Sequence, residues 1–262
     1  MWDRRPRLSR LLPRAASSSW LLGAALFAQQ PEMARIPGGD CPIGASVSHE
    51  AVHKPKVDEF WIALLPVTNE DYKRFIDDTG HAAPESNSMS SKFRLWEGTS
   101  FPAGIARQPV VNVSWQDAVA YCRWLSKKTG KNFRLPTEEE WEVAARGGLA
   151  KKPYPWGDGI DKKMAWYGQK WNGARTLEEA GYGKANGYGL LGMAGNVWQW
   201  TADWYVPTFN GRPVVEELQL YKVIRGGSWV NEQDFLTVNY RNFHPPDFRD
   251  VFLGFRVASS VP

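Results

Sequence analysis

Few residues in this chain have the type and spacing to do chemistry, and each set has a plain structural reading beside the chemical one. His49-Glu50-Ala51-Val52-His53 matches H-E-x-x-H, in which a helix sets two imidazoles on one face to hold zinc. Here Pro55 follows Lys54 at once, proline disfavours helix in the residue before it, and no apolar helical period surrounds the motif. The match is read as coincidence. His81 and His244 stand alone and are read as structural or surface side chains. The run His244-Pro245-Pro246-Asp247-Phe248-Arg249-Asp250, with Glu232 and Asp234 upstream, offers general acid–base groups. Its plainer reading is a Pro-stiffened, solvated loop of ion pairs. Cys41 and Cys122 are the only cysteines, too few for a disulfide framework. Cys122 falls on an apolar helix stripe and is expected to be a buried free thiol, with pairing to Cys41 left open.

Three helices must position these groups. Thr68 precedes a helix whose Tyr72, Phe75 and Ile76 share a face. Ser114, with Asp117 three residues on, starts a second with Ala118, Tyr121, Cys122 and Leu125 on one side and Gly130 to end it. Thr137 and Glu140 form a capping box for a third, stopped at Gly147-Gly148. Strands are expected at 60–65, 221–225 and 252–257, with shorter extended pieces around Pro37-Gly38-Gly39. From 149 to about 190 no period survives. Helices early and strands late predict an α+β domain with long loops.

The chain has 14 Trp, 9 Tyr and 12 Phe beside 24 Gly and 18 Pro, as suits irregular segments pinned by large rings. Its net charge of +4 is misleading, because Arg4, Arg5, Arg7, Arg10 and Arg14 against Asp3 place all of it in the first 28 residues. A neutral body gives no reason to invoke nucleic acid. Residues 1–28 are read as a signal peptide or an N-terminal anchor, since an Arg-rich stretch precedes the apolar run ending at Ala28. Residues 29–262 are read as one domain. The expected location is exported, periplasmic or extracellular, with membrane contact only through an uncleaved anchor.

The remaining motifs fall in a fixed order. Ile36-Pro37-Gly38-Gly39 and Pro66-Val67-Thr68-Asn69 come first. Arg134-Leu135-Pro136-Thr137-Glu138-Glu139-Glu140-Trp141-Glu142 and Ala144-Ala145-Arg146-Gly147-Gly148 follow, then Tyr154-Pro155-Trp156-Gly157-Asp158 and Asn186-Gly187-Tyr188-Gly189-Leu190. Gly195-Asn196-Val197-Trp198-Gln199-Trp200-Thr201-Ala202-Asp203-Trp204, Arg225-Gly226-Gly227-Ser228-Trp229 and Gly254-Phe255-Arg256-Val257 complete the set. Together these blocks resemble the formylglycine-generating enzyme, or sulfatase-modifying factor, family from about residue 35 to 258. The resemblance implies a loop-rich C-type-lectin-like fold.

It also implies a site. Active members carry two cysteines after the Arg-Gly-Gly-Ser block that bind copper(I) and support oxidation of a sulfatase cysteine. Those positions fall here on Asn231 and on Leu236, or Thr237 if the alignment slips by one. Neither an amide nor an aliphatic side chain replaces a thiolate toward that soft ion. No copper is therefore expected. One family calcium site maps to Gly192, Gly195, Val197 and Gln199, where the anionic ligand and one neutral oxygen are lost, so calcium is not expected either. The candidate cleft comprises Trp198, Ser228, Asn231 and Arg241. Two readings stay open. One is a binding or accessory module for a peptide, a glycan or a protein partner. The other is an oxidoreductase with altered chemistry, such as oxidative tailoring of a siderophore or peptide. Formylglycine formation itself ranks last.

Overall fold

The computed structural model describes residues 30–40, 55–87, 94–206, 208–209, 212–213 and 220–261. Residues 1–29, among them the stretch read as a signal peptide or anchor, and Cys41, His49 and His53 lie outside the described residues. The body, Pro31–Pro262, is a single unit by its internal contacts.

All three helices start as their cap residues dictate. Thr68, Ser114 and Thr137 each accept from the backbone three residues on, and Asp71, Asp117 and Glu140 reach back to complete capping boxes. Left-handed Gly80, Gly130 and Gly147 close α1 (Asn69–Thr79), α2 (Trp115–Thr129) and α3 (Glu138–Arg146). The apolar faces of α1 and α2 meet through stacked Tyr72 and Tyr121, with ring centroids 5.9 Å apart. Phe255 packs against both rings at 6.4 and 5.3 Å. Burying rings of this size contributes roughly 1.5–3 kcal/mol each, so this contact is what fixes the helix pair to the strands. Cys122 lies in the same core as a free thiol, its pKa pushed up to about 12 by burial.

Two four-stranded sheets carry the rest. In chain order the strands are β1 (Met33–Ile36), β2 (Gly39–Asp40), β3 (Lys56–Val57), β4 (Phe60–Ala63), β5 (Phe133–Arg134) and β6 (Trp198–Trp204). They continue with β7 (Thr208–Phe209), β8 (Arg212–Pro213), β9 (Lys222–Arg225), β10 (Arg241–His244), β11 (Leu253–Phe255) and β12 (Ala258–Ser259). The first sheet, β1-β4-β12-β5, joins the two ends of the domain through antiparallel pairs. The second, β10-β9-β6-β11, is antiparallel except for β11 beside β6, where Leu253 faces Trp198 in parallel register. The expected strands near 60, 222 and 253 are present. Between 149 and 190 the chain makes only turns and isolated bridges, as the loss of periodicity predicts. The fold is mixed α+β and loop-rich.

Candidate functional site

The third helix is the anchor of the site. Glu138 and Glu142, four residues apart, project toward the second sheet and each captures an arginine from it. Arg241 grips Glu138 with two bonds, Nε to Oε1 at 2.5 Å and Nη2 to Oε2 at 2.9 Å. Arg225 is fully buried, donates to Glu142, and also reaches the carbonyls of Val238 (3.0 Å), Asn239 (2.9 Å) and Tyr240 (2.9 Å). Glu142 takes Arg146 as well, at 2.6 Å from its Nη2. The same helix start is tied to β6, because Asp203 Oδ2 accepts from the Glu138 backbone at 2.5 Å. The acidic helix therefore clamps the segment 226–241, which carries every candidate residue except Trp198.

Within that segment the backbone turns sharply. Gly227 has φ 69°, and a Cβ there would stand 2.8 Å from Leu236 Cδ1 and 2.9 Å from the Phe235 carbonyl. Gly195, φ 77°, faces Leu236 from the other side, where a Cβ would stand 3.2 Å from Cδ2. Leu236 ends a short 3-10 turn (Gln233–Leu236) and is wedged between the two glycines with 0% exposure. Tyr154, Ala165, Tyr167 and Ala194 complete its pocket. The side chain to which the resemblance assigns the second thiolate position is thus an aliphatic core residue. Asn231, at the first, is committed too: its Oδ1 accepts from Ser228 Oγ at 2.7 Å and from Ser228 N at 3.0 Å. Thr237, the position reached if the alignment slips, is buried, its hydroxyl 3.5 Å from the Asp234 carbonyl. None of these residues offers copper(I) a soft donor.

The four candidates do not form one constellation. Ser228 and Asn231 touch directly. Trp198 is buried in the main core, where its ring lies 6.0 Å from Tyr240, itself 4.9 Å from Phe235. Arg241 is spent on Glu138, with Tyr205 beneath its guanidinium at 5.1 Å. The half-buried Phe235 and Tyr240, which the sequence analysis did not single out, continue the ring contacts of Trp198 outward from the core. Trp229 and Trp171 form a separate pair of rings 5.8 Å apart, while Gly168 N donates to the Asn231 carbonyl at 2.8 Å. The density of aromatics between 166 and 171 and between 229 and 240 was the available signal.

At the mapped calcium position the oxygen donors are turned inward. Gln199 is fully buried, its Oε1 accepting from Trp141 Nε1 at 2.9 Å and from Arg256 Nε at 2.7 Å. Its Nε2 donates to the Gly192 carbonyl at 2.6 Å, and the Gly195 carbonyl accepts from Val197 N at 2.8 Å. An amide donor thus fills the place where a cation would draw carbonyl and carboxylate together, and the set does not fit a hard dication.

The acid–base run is also dispersed. His244 stacks on Phe248 with centroids 3.9 Å apart, and burial drives its pKa down to about 4, leaving it neutral at physiological pH. Asp250 accepts from Val251 N at 2.6 Å, and Arg249 bonds Asp117 at 2.8 Å. His81 shares that carboxylate, its Nε2 lying 2.8 Å from Asp117 Oδ1. Glu232 and Asp234 are exposed. Among the described residues no group of three or more His, Cys, Asp or Glu side chains is placed to hold a metal ion.

Residues 22–261 match the sulfatase-modifying factor enzyme 1-like domain, and the chain belongs to that family. A formylglycine-generating enzyme of Streptomyces coelicolor is 33% identical, with 87% of this chain and 88% of that protein covered. A Mus musculus protein called inactive C-alpha-formylglycine-generating enzyme 2 is 32% identical over 98% of this chain and 96% of its own. Among solved structures, PvdO from Pseudomonas aeruginosa is similar with a TM-score of 0.72 and 28% identity, covering 89% of this chain and 95% of that one.

Proposed function

We propose that this protein is a non-catalytic binding or accessory module of the sulfatase-modifying family, working without copper or calcium. One observation carries the reading: Leu236, to which the resemblance assigns the second thiolate position, is a buried wedge between Gly195 and Gly227. The commitment of Asn231 to Ser228 and the scatter of His244, Asp250 and Arg249 support it, because catalysis needs such groups to converge. Similarity to a relative named inactive, across nearly the whole chain, points the same way. The cleft takes a peptide, a glycan or a protein partner on the half-buried Phe235 and Tyr240, with the Asn231 loop as its polar edge. The Arg-rich leader favours work outside the cytoplasm, as a secreted or anchored protein. No described helix is long and apolar enough to cross a membrane.

The test is an array of peptides and glycans probed with the protein freed of its leader. A saturable hit should weaken by at least about tenfold on Phe235→Ala, as expected of an aromatic anchor. Hits that ignore this substitution, or no saturable hit at all, would remove the cleft from the account.

A further inference from the structure

A cavity lies between α2, β5 and β6. One wall is Trp115, Val119, Cys122 and Arg123, which the helical repeat sets on one face of α2. Phe133, Arg134 and Leu135 form the opposite wall, and Thr137 and Ala202 close it. Its volume is about 340 Å³, within the range of small-molecule sites and too small for a helix. None of Trp198, Ser228, Asn231 or Arg241 lines it.

The walls are rigid and apolar. Trp115 is fixed by its Nε1 bond to the Thr201 carbonyl at 2.8 Å. The Cys122 thiol stays protonated at neutral pH, so Arg123 is the charged group of that wall. The polar groups sort by commitment. Arg134 holds Glu140 through 2.6 and 2.7 Å bonds and Ser260 through a 3.1 Å bond, and Thr137 caps α3. Arg123 is exposed at the mouth, and among the described residues it makes no ion pair or hydrogen bond. A second cation stands behind the wall: Lys222 Nζ lies 4.1 Å from the centre of the Trp115 ring and donates to the Ala202 carbonyl at 2.7 Å. Aliphatic and aromatic walls, one uncommitted guanidinium at the mouth and a buried ammonium beyond them favour a ligand with an apolar body and a single negative end.

We propose that this cavity is a binding site for a small apolar carboxylate, an acyl or aryl acid whose carboxylate meets Arg123 and whose body lies along Trp115, Val119 and Leu135. Each methylene added within the cavity tightens binding about threefold to fourfold, the factor for moving a CH₂ out of water. Selectivity for the anion comes from Arg123 and is lost with it. The site is independent of the cleft, so its failure leaves the binding-module reading untouched.

The experiment is calorimetric titration of the protein with octanoate, butanoate and octylammonium, with circular dichroism to follow the fold of each variant. Expected are one saturable octanoate site, binding of butanoate weaker by about a hundredfold, binding of octylammonium weaker by about tenfold, and a loss of about tenfold on Arg123→Ala. Val119→Trp should fill the cavity and abolish binding. Arg123 is exposed, so its variants keep the fold and leave the question decidable should the tryptophan variant unfold. The proposal is overturned by the absence of a saturable site, by equal affinity for octanoate and octylammonium, or by unchanged octanoate binding in Arg123→Ala or in a folded Val119→Trp.

Discussion

Glu142→Ala is expected to remove about 3 kcal/mol of folding stability, the low end for breaking a buried ion pair, because Glu138 stays 3.6 Å from the Arg225 guanidinium. Arg225 is fully buried, and Glu142, 3% exposed, is the acceptor its Nη2 shares with the Val238 carbonyl. Arg146 loses its two bonds to Glu142 in the same step. Alanine is the best helix former, so the change at the middle of α3 brings no propensity penalty to confuse the reading. The damage should spread to the segment 226–241, because Arg225 also gathers the carbonyls of 238–240. Urea unfolding measures it, with Lys73→Ala as the control. Lys73 pairs with Asp77 on the surface at 2.5 Å, and such pairs contribute at most about 1 kcal/mol. If the Glu142 variant falls in the same range as the control, the helix is not the anchor described above.

The second large effect is expected at Gln199. Changing it to Leu leaves Trp141 Nε1 without an acceptor, takes one bond from the buried Arg256 and frees the Gly192 carbonyl, all inside the core. Each unsatisfied buried group costs about 1–3 kcal/mol, so a loss of about 3 kcal/mol or more follows. Gln199→Glu separates the contributions. It keeps an acceptor for both donors and sets an anion beside Arg256, at the cost of replacing the bond to Gly192 with a repulsion between two oxygens. The Glu variant should therefore unfold at a higher urea concentration than the Leu variant. Equal midpoints would mean that Gln199 merely fills space.

Much of this architecture can be read from the chain before any coordinates. The three helices declare themselves because Thr68, Ser114 and Thr137 and their glycine stops act locally, within one turn. The strand β6 does not. Its first four residues, Trp198–Thr201, are buried on both faces, so no alternation betrays it among the surrounding aromatics. Nor does β10, whose last residue precedes Pro245-Pro246 and which reads as loop, although it forms the edge of the second sheet. The site shows the same division. Asn231 and Leu236 can be located by counting from the Arg-Gly-Gly-Ser block, but the wedge at Leu236 depends on Gly195, some forty residues earlier. Glu138 and Glu142 look like the solvated face of an amphipathic helix. Only the arrival of Arg241 and Arg225 from distant strands makes them the clamp.

The central claim is that the fold is kept while the copper chemistry is lost. It is tested most directly by incubating the leader-free protein with copper(I), air and a sulfatase-type cysteine peptide, beside the Streptomyces coelicolor enzyme it resembles. Oxygen uptake and the mass of the peptide are followed together. The account predicts peptide-dependent uptake and an aldehyde product from the enzyme alone, with the peptide unchanged by this protein. Peptide-dependent oxygen uptake by this chain, with conversion of the cysteine to formylglycine, would contradict it.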